Sequence, residues 1–309
     1  MSTTGTTAFN LDMNDLIEEA FERCGVELRT GYDFRTARRS LNILTIEWAN
    51  RGINLWTVEQ GQIVLNTQQA LYAMPVDTID ILDASTRTDN GSQANQIDIN
   101  LTRISEPTYM TIPNKNTTGR PIQMWFNRQS GGVASIAQTT LVGGINTTDT
   151  TITLASAANL PTQGFVNIDN ETIGYQNIVG NQIVNAWRGQ NGTTAATHLT
   201  AAGVFNNQLP CINVWPTPNS PGDQYTLVYY RMRRIQDAGN GIRTQDIPFR
   251  FIPCMVAGLA YYLSAKLTGV DPGRMQMLKA EYEQQFQLAA DEDRETASVR
   301  FVPRNMFYS

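Results

Sequence analysis

The sequence predicts an α+β protein: a helical bundle with a β-meander, plus an inserted small all-β domain. Three observations predict it. Apolar residues recur at helical spacing near both ends of the 309-residue chain, β-branched and aromatic segments gather between them, and residues 133–207 differ in composition from their surroundings. The implied division is an N-terminal arm over 1–11, a discontinuous core domain over 12–132 and 208–294, an inserted β-domain over 133–207, and a C-terminal tail over 295–309.

A first helix is expected from Asp12 to Cys24, where Leu16, Ala20 and Cys24 share a face with Ile17 and Phe21 beside them, and it should end at Gly25. The clearest helix follows from Asp33 to Gly52. Phe34, Ala37, Leu41, Leu44 and Trp48 form its buried stripe, flanked by Ile43 and Ala49. Asp33 is the expected N-cap, Gly52 the left-handed residue that ends it, and Glu47 with Arg51 an i,i+4 pair. The short connection makes the two helices antiparallel neighbours.

Ile53 to Leu65 then reads as extended, with a turn at Gln60-Gly61. Thr78 to Ala84 is a strand whose hairpin partner is Ile97 to Leu101, across the polar loop 87–96. Residues 121–127 (PIQMWFN), 212–216 (INVWP) and 226–232 (TLVYYRM) are expected to form the meander. Between the first two lies 133–207, with only four charged residues (Asp149, Asp169, Glu171, Arg188), no lysine, and an excess of Thr, Asn, Ala and Gly, which marks a separate module. Within it, Thr151 to Leu154 alternates as a strand, 165–169 and 171–176 form a tight hairpin, and Gly180-Asn181 turns into 182–187. A hairpin tolerates such an insertion because only the ends of the loop must stay close.

Helical spacing returns with Ile252, Met255, Leu259 and Leu263, widened by Val256, Ala260 and Leu267. Asp271-Pro272 then caps a second helix, with Met275, Leu278, Tyr282, Phe286 and Ala289 on one face. These should pack as a hairpin on the first two helices. The apolar run 251–267 contains Pro253, Ser264 and Lys266, so it reads as a buried helix rather than a membrane span. The first residues lack a basic region followed by an apolar run, so no secretory signal is expected.

Chemistry is sparsely represented. Cys24, Cys211 and Cys254 are widely spaced, against a disulfide framework or zinc site, and no nucleotide, EF-hand or zinc-protease motif occurs. We therefore expect no cofactor, no metal and no catalytic residue. The single histidine, His198, sits in a Thr/Ala-rich loop, and the carboxylate pairs Glu18-Glu19 and Glu281-Glu283 read as solvated helix faces. A net charge of −5 argues against broad affinity for phosphate backbones and suits a wall that DNA slides past.

Two groups suggest contacts with partners. Arg35, Arg38 and Arg39 form a basic edge on the second helix, read as a solvated face, as an inter-subunit interface that meets carboxylates, or as a contact with nucleic acid. In the tail, Arg300, Phe301, Val302, Arg304, Phe307 and Tyr308 are of the arginine and aromatic types enriched at hot spots, in a segment without periodicity of its own, which reads either as a disordered end or as a segment that orders on a partner.

The order of these elements resembles a known family. The segment ARRSLNILTIEWANRGINLWTVEQGQIVL, then GRPIQMWFNR, WPTP, YRMRR and the helical pair 252–290 resemble the head-to-tail adaptors of short-tailed bacteriophages, the family that includes tail tubular protein A. Residues 133–207 depart from its shorter members and are similar to a small β-module of phage tail and fibre-associated proteins. The resemblance implies a structural virion protein, assembled in the host cytoplasm as a ring of twelve copies between portal protein and tail nozzle protein. Such a ring lines the DNA channel, closes the filled head and docks the tail, with Arg300 to Tyr308 reaching the portal; the resemblance leaves the partner of the β-module open, tail fibres being one candidate. The alternatives are a peripheral attachment or decoration protein that binds fibres through the β-module, and a virion-associated cell-wall hydrolase.

Overall fold

A computed structural model of the chain describes residues 5, 11–53, 55–219, 225–239 and 244–294. It contains both helices and sheets. The α-helices are α1 (Met13–Cys24), α2 (Gly31–Arg51), α3 (Glu106–Met110), α4 (Ile252–Ser264) and α5 (Pro272–Glu292). The chain divides into two compact units, one formed by the parts up to Thr57 and from Arg234 onward, the other by Val58–Arg233.

In the first unit the helix limits follow local chemistry. Asp12 caps α1 by accepting the Asp15 N–H, and Gly25 ends it at φ 75°. Asp271 caps α5 in the same way, with Pro272 in its first turn. The cap of α2 differs from the expected one. Thr30 is the N-cap, and Asp33 is the N3 partner in a reciprocal capping box, so the helix begins at Gly31. Gly52 ends it at φ 87°, and Arg51 pairs with Glu47 at 2.8 Å as expected.

Leu16, Phe21, Leu41, Leu44, Trp48, Met255, Leu259, Leu263 and Tyr282 belong to one core to which α1, α2, α4 and α5 all contribute. α4 is buried on most sides. No described helix is long and apolar enough to cross a membrane. Ile43, expected beside the buried face of α2, is instead 49% exposed, because the buried stripe runs through Ala37, Ser40, Leu41, Leu44, Thr45 and Trp48.

In the second unit, the sheet order Val58–Val64, Tyr225–Arg233, Thr78–Thr88, Ile97–Asn100 is antiparallel throughout. Gln60-Gly61 makes no turn there; it lies within the first strand, opposite Tyr230 and Tyr229. A second sheet runs Leu71–Ala73, Cys211–Trp215, Gln123–Asn127, Thr102–Arg103. The three segments expected in one meander are therefore split: the first two pair with each other, and Tyr225–Arg233 is central in the other sheet. Both sheets feed one core that includes Leu65, Ile81, Met124, Ile212, Val214 and Leu227.

Residues 133–207 leave from the end of one strand, Gln123–Asn127, and return to its partner, Cys211–Trp215. Gly164–Ile168 and Glu171–Tyr175 form the tight hairpin, in a six-stranded sheet, while Ile152–Thr153, Gln182–Val184 and Asn177–Val179 make a three-stranded one. A core of their own contains Leu154, Val166, Ile168, Ile173, Tyr175, Ile183 and Val204. A smaller cluster joins Phe165 and Trp187 to Leu71, Leu209 and Cys211.

Candidate functional site

Arg35, Arg38 and Arg39 lie on the N-terminal half of α2, where spacings of three and four residues put them along one edge. With Tyr32 they line a shallow groove of about 280 Å³. Arg38 donates to the Gly239 carbonyl at 3.2 Å and Arg39 to the Thr36 hydroxyl at 3.3 Å. None of the three has a carboxylate partner among the described residues. The contrast within the same unit is sharp: Arg23 pairs with Glu19 and Glu281, Arg29 with Glu27, Arg51 with Glu47 and Glu283, Arg250 with Glu292, and Arg294 with Asp291. Arg274, which donates to the Arg23 carbonyl, and Lys266, which donates to the Ser40 hydroxyl, likewise have no ion pair among the described residues; what distinguishes the α2 edge is that three arginines without one lie side by side.

The same ion pairs account for most of the carboxylates considered as acid and base candidates. Glu19 and Glu281 converge on Arg23, and Glu283 holds Arg51. Arg51 fixes the Glu283 carboxyl below its usual range through their hydrogen bonds, and its guanidinium also stacks 4.3 Å from the Phe286 ring. Arg300, Phe301, Val302, Arg304, Phe307 and Tyr308, the tail residues expected to meet the portal, lie outside the described residues.

One constellation escaped the sequence reading. Glu171 opens the second strand of the hairpin, after a turn in which Asp169 takes φ 50°. Its side chain has no solvent exposure. Arg188 grips both its oxygens at 2.8 Å, the Gly189 and Ala196 N–H groups donate to it, and His198 Nε2 lies 2.9 Å away. His198 Nδ1 reaches Asp169 at 2.7 Å. Arg188 also donates to the carbonyls of Asp149, Ala196 and Asn146. Burial alone would raise the Glu171 carboxyl, but Arg188, the Ala196 N–H, His198 and the Gly189 N–H outweigh it and hold it at about 2.

With this many donors around the carboxylate, the group acts as a clamp. It ties the turn at 169–171, the strand Trp187–Gln190 and the loop at 196–198 into one piece. The signal available in the sequence was scarcity, since Arg188 is the only lysine or arginine in 133–207. Beside it lies a cleft of about 410 Å³ whose lining, including Gln68, Asn116, Gln176, Asn177 and Trp187, has no charged side chain.

Comparison with protein families places this chain among bacteriophage adaptors, structural proteins of the virion. The SU10 adaptor protein family matches residues 118–305, more than half of the chain, and the chain belongs to that family. The match runs through 133–207 and on through α4 and α5. Comparison with curated proteins returns no match.

Proposed function

We propose that this adaptor forms a ring at the head–tail junction, between the portal and the tail nozzle, where it lines the DNA channel, closes the filled head and docks the tail. Membership of the SU10 adaptor family over residues 118–305 is the observation that carries the reading. The arginines of α2, which have no carboxylate partner among the described residues, support contact between subunits, and the net charge of −5 suits a wall that must not hold DNA. The ring has twelve copies, and its role is structural, without catalysis or cofactor.

Residues 133–207 act in this reading as an inserted β-domain, and the neutral polar cleft beside Trp187 favours a second, attached role in docking a tail fibre. Deleting 133–207 separates the roles: an adaptor still joins the portal, whereas a protein serving only for fibre attachment loses its place in the particle. The tail from Arg300 to Tyr308 is the proposed portal contact. Deleting 296–309 is expected to abolish portal binding while leaving the helical unit folded, and unchanged affinity would reject that assignment.

The decisive experiment is a symmetry-resolved electron cryo-microscopy map of the tailed particle. A ring of this fold between portal and nozzle is the expected result, and density only at the periphery would overturn it.

A further inference from the structure

The first unit carries a second surface of opposite character. On the outer face of α1, Asp15, Glu18 and Glu22 recur at three and four residues, are exposed, and have no ion pair among the described residues. They border a groove of about 430 Å³ whose apolar wall is Leu11, Ile252 and Val256, and the one cation among its lining residues, Arg23, is held by Glu19 and Glu281. Along α2, Tyr32, Arg35, Arg39, Ile43 and Ile46 fall on one stripe by the same spacing. Its apolar members are well exposed: Tyr32 is 64%, Ile43 49% and Ile46 61% open to solvent. One surface is a groove edged with unpartnered carboxylates. The other is a ridge of arginines that have no carboxylate partner among the described residues, with apolar side chains beside them.

We infer that the ridge on α2 of one copy docks in the acidic groove beside α1 of the next. Three observations select a second copy as the occupant. Both halves of the complementarity are on the same unit, and Asp15, Glu18, Glu22, Arg35 and Arg39 have no ion pair among the described residues. The acidic row extends about 10 Å along α1 and the Arg35–Arg39 step about 6 Å along α2, so the two rows can face each other over a turn or more of helix. Both surfaces also expose apolar area beside the charges, so that a contact between them buries apolar surface as well as pairing charge. Because the patches differ, the contact is head-to-tail, and each copy offers one surface and receives the other. This rests on the ring reading above and names the surfaces that would build it.

The test is sedimentation velocity of the full chain at low and high salt, with two charge-reversed variants: Arg35→Glu with Arg39→Glu, and Glu18→Lys with Glu22→Lys. Circular dichroism verifies that each is folded. The wild type is expected to self-associate, less so at high salt, and each variant alone to associate at least about tenfold more weakly. An equimolar mixture of the two variants should regain association, since an acidic ridge then meets a basic groove and the reverse. Wild-type association together with undiminished association of either variant, or a mixture that stays dissociated, overturns this interface and leaves the ring reading standing. A wild type that stays monomeric under every condition overturns this interface, while the ring reading is then decided by the map of the tailed particle.

Discussion

The indole N–H of Trp48, on α2, donates to the hydroxyl of Tyr282, on α5, across 3.2 Å and 234 residues of sequence. Both side chains are fully buried, and this bond satisfies the indole in a core that otherwise offers it carbon. Replacing Tyr282 by Phe should leave the indole donor unpaired and lower stability by about 1–3 kcal/mol. Trp48→Phe removes the donor together with packing volume. Because the two residues share one bond, the double variant should lose less than the sum of the singles, measured by chemical denaturation. Additive losses would show that the bond contributes nothing.

The same crossing depends on Gly258. A Cβ there would stand 2.8 Å from Tyr282 Cε2 and 2.9 Å from both methyl carbons of Leu44, so α4 approaches α2 and α5 where it has no side chain. Gly258→Ala should gain helix propensity yet lose about 1–3 kcal/mol net through overpacking. A stabilised variant in thermal melts would mean that the neighbours yield freely.

Gly61 shows why strands were harder to read than helices. From sequence, Gln60-Gly61 looks like a turn, but the glycine is there because the Tyr229 ring crosses it, and a Cβ would fall 2.3 Å from Tyr229 Cζ. Gly61→Ala should destabilise the sheet unit by about 1–3 kcal/mol, and Tyr229→Leu should relieve part of that cost in the double variant.

Helix limits were legible because their causes are local: Asp12, Gly25, Gly52, Asp271 and Pro272 act within one turn of their own positions. Even the misplaced cap of α2 was an error of three residues, Thr30 for Asp33. Strand identity was also local, since 123–127, 211–215 and 225–233 all carry the right residues. Their partners were not. Placing Tyr225–Arg233 between Val58–Val64 and Thr78–Thr88 depends on contacts more than a hundred residues away, which no local pattern records. The Glu171 clamp was hidden for the same reason, because its donors come from separate turns and strands.

That clamp gives a signed pH dependence. The Glu171 carboxyl is held at about 2 against an ordinary 4.5, so the folded state binds its proton less readily than the unfolded state. Its stabilising contribution is complete above the ordinary value and is lost as pH falls from about 4.5 through about 2. Glu171→Gln strands Arg188 in the interior and should cost about 3–5 kcal/mol at pH 7. The gap between wild type and variant in urea midpoint should then narrow as the pH drops below about 4. A gap independent of pH would show that the carboxylate charge is not what holds the clamp.

The three cysteines can report on the two units separately. Burial pushes the Cys24 thiol up to about 11, with Arg274 only partly opposing, and pushes Cys211 and Cys254 to about 12. The thiolate is the reactive form, so at pH 7 the folded protein holds less than about a thousandth of each thiol in that form. Cys24 is further held by donating to the Ala260 carbonyl at 3.2 Å. Alkylation of the folded chain should therefore be slow and should proceed through opening of the structure. Cys24 and Cys254 lie in the helical core, and Cys211 in a strand of the sheet unit. In a urea series read by mass spectrometry, Tyr282→Phe should advance labelling of Cys24 and Cys254 and leave Cys211 unmoved, whereas Gly61→Ala should do the reverse. Joint movement of all three thiols in both variants would show that the two compact units unfold as one, and rapid labelling without urea would contradict the burial that protects them.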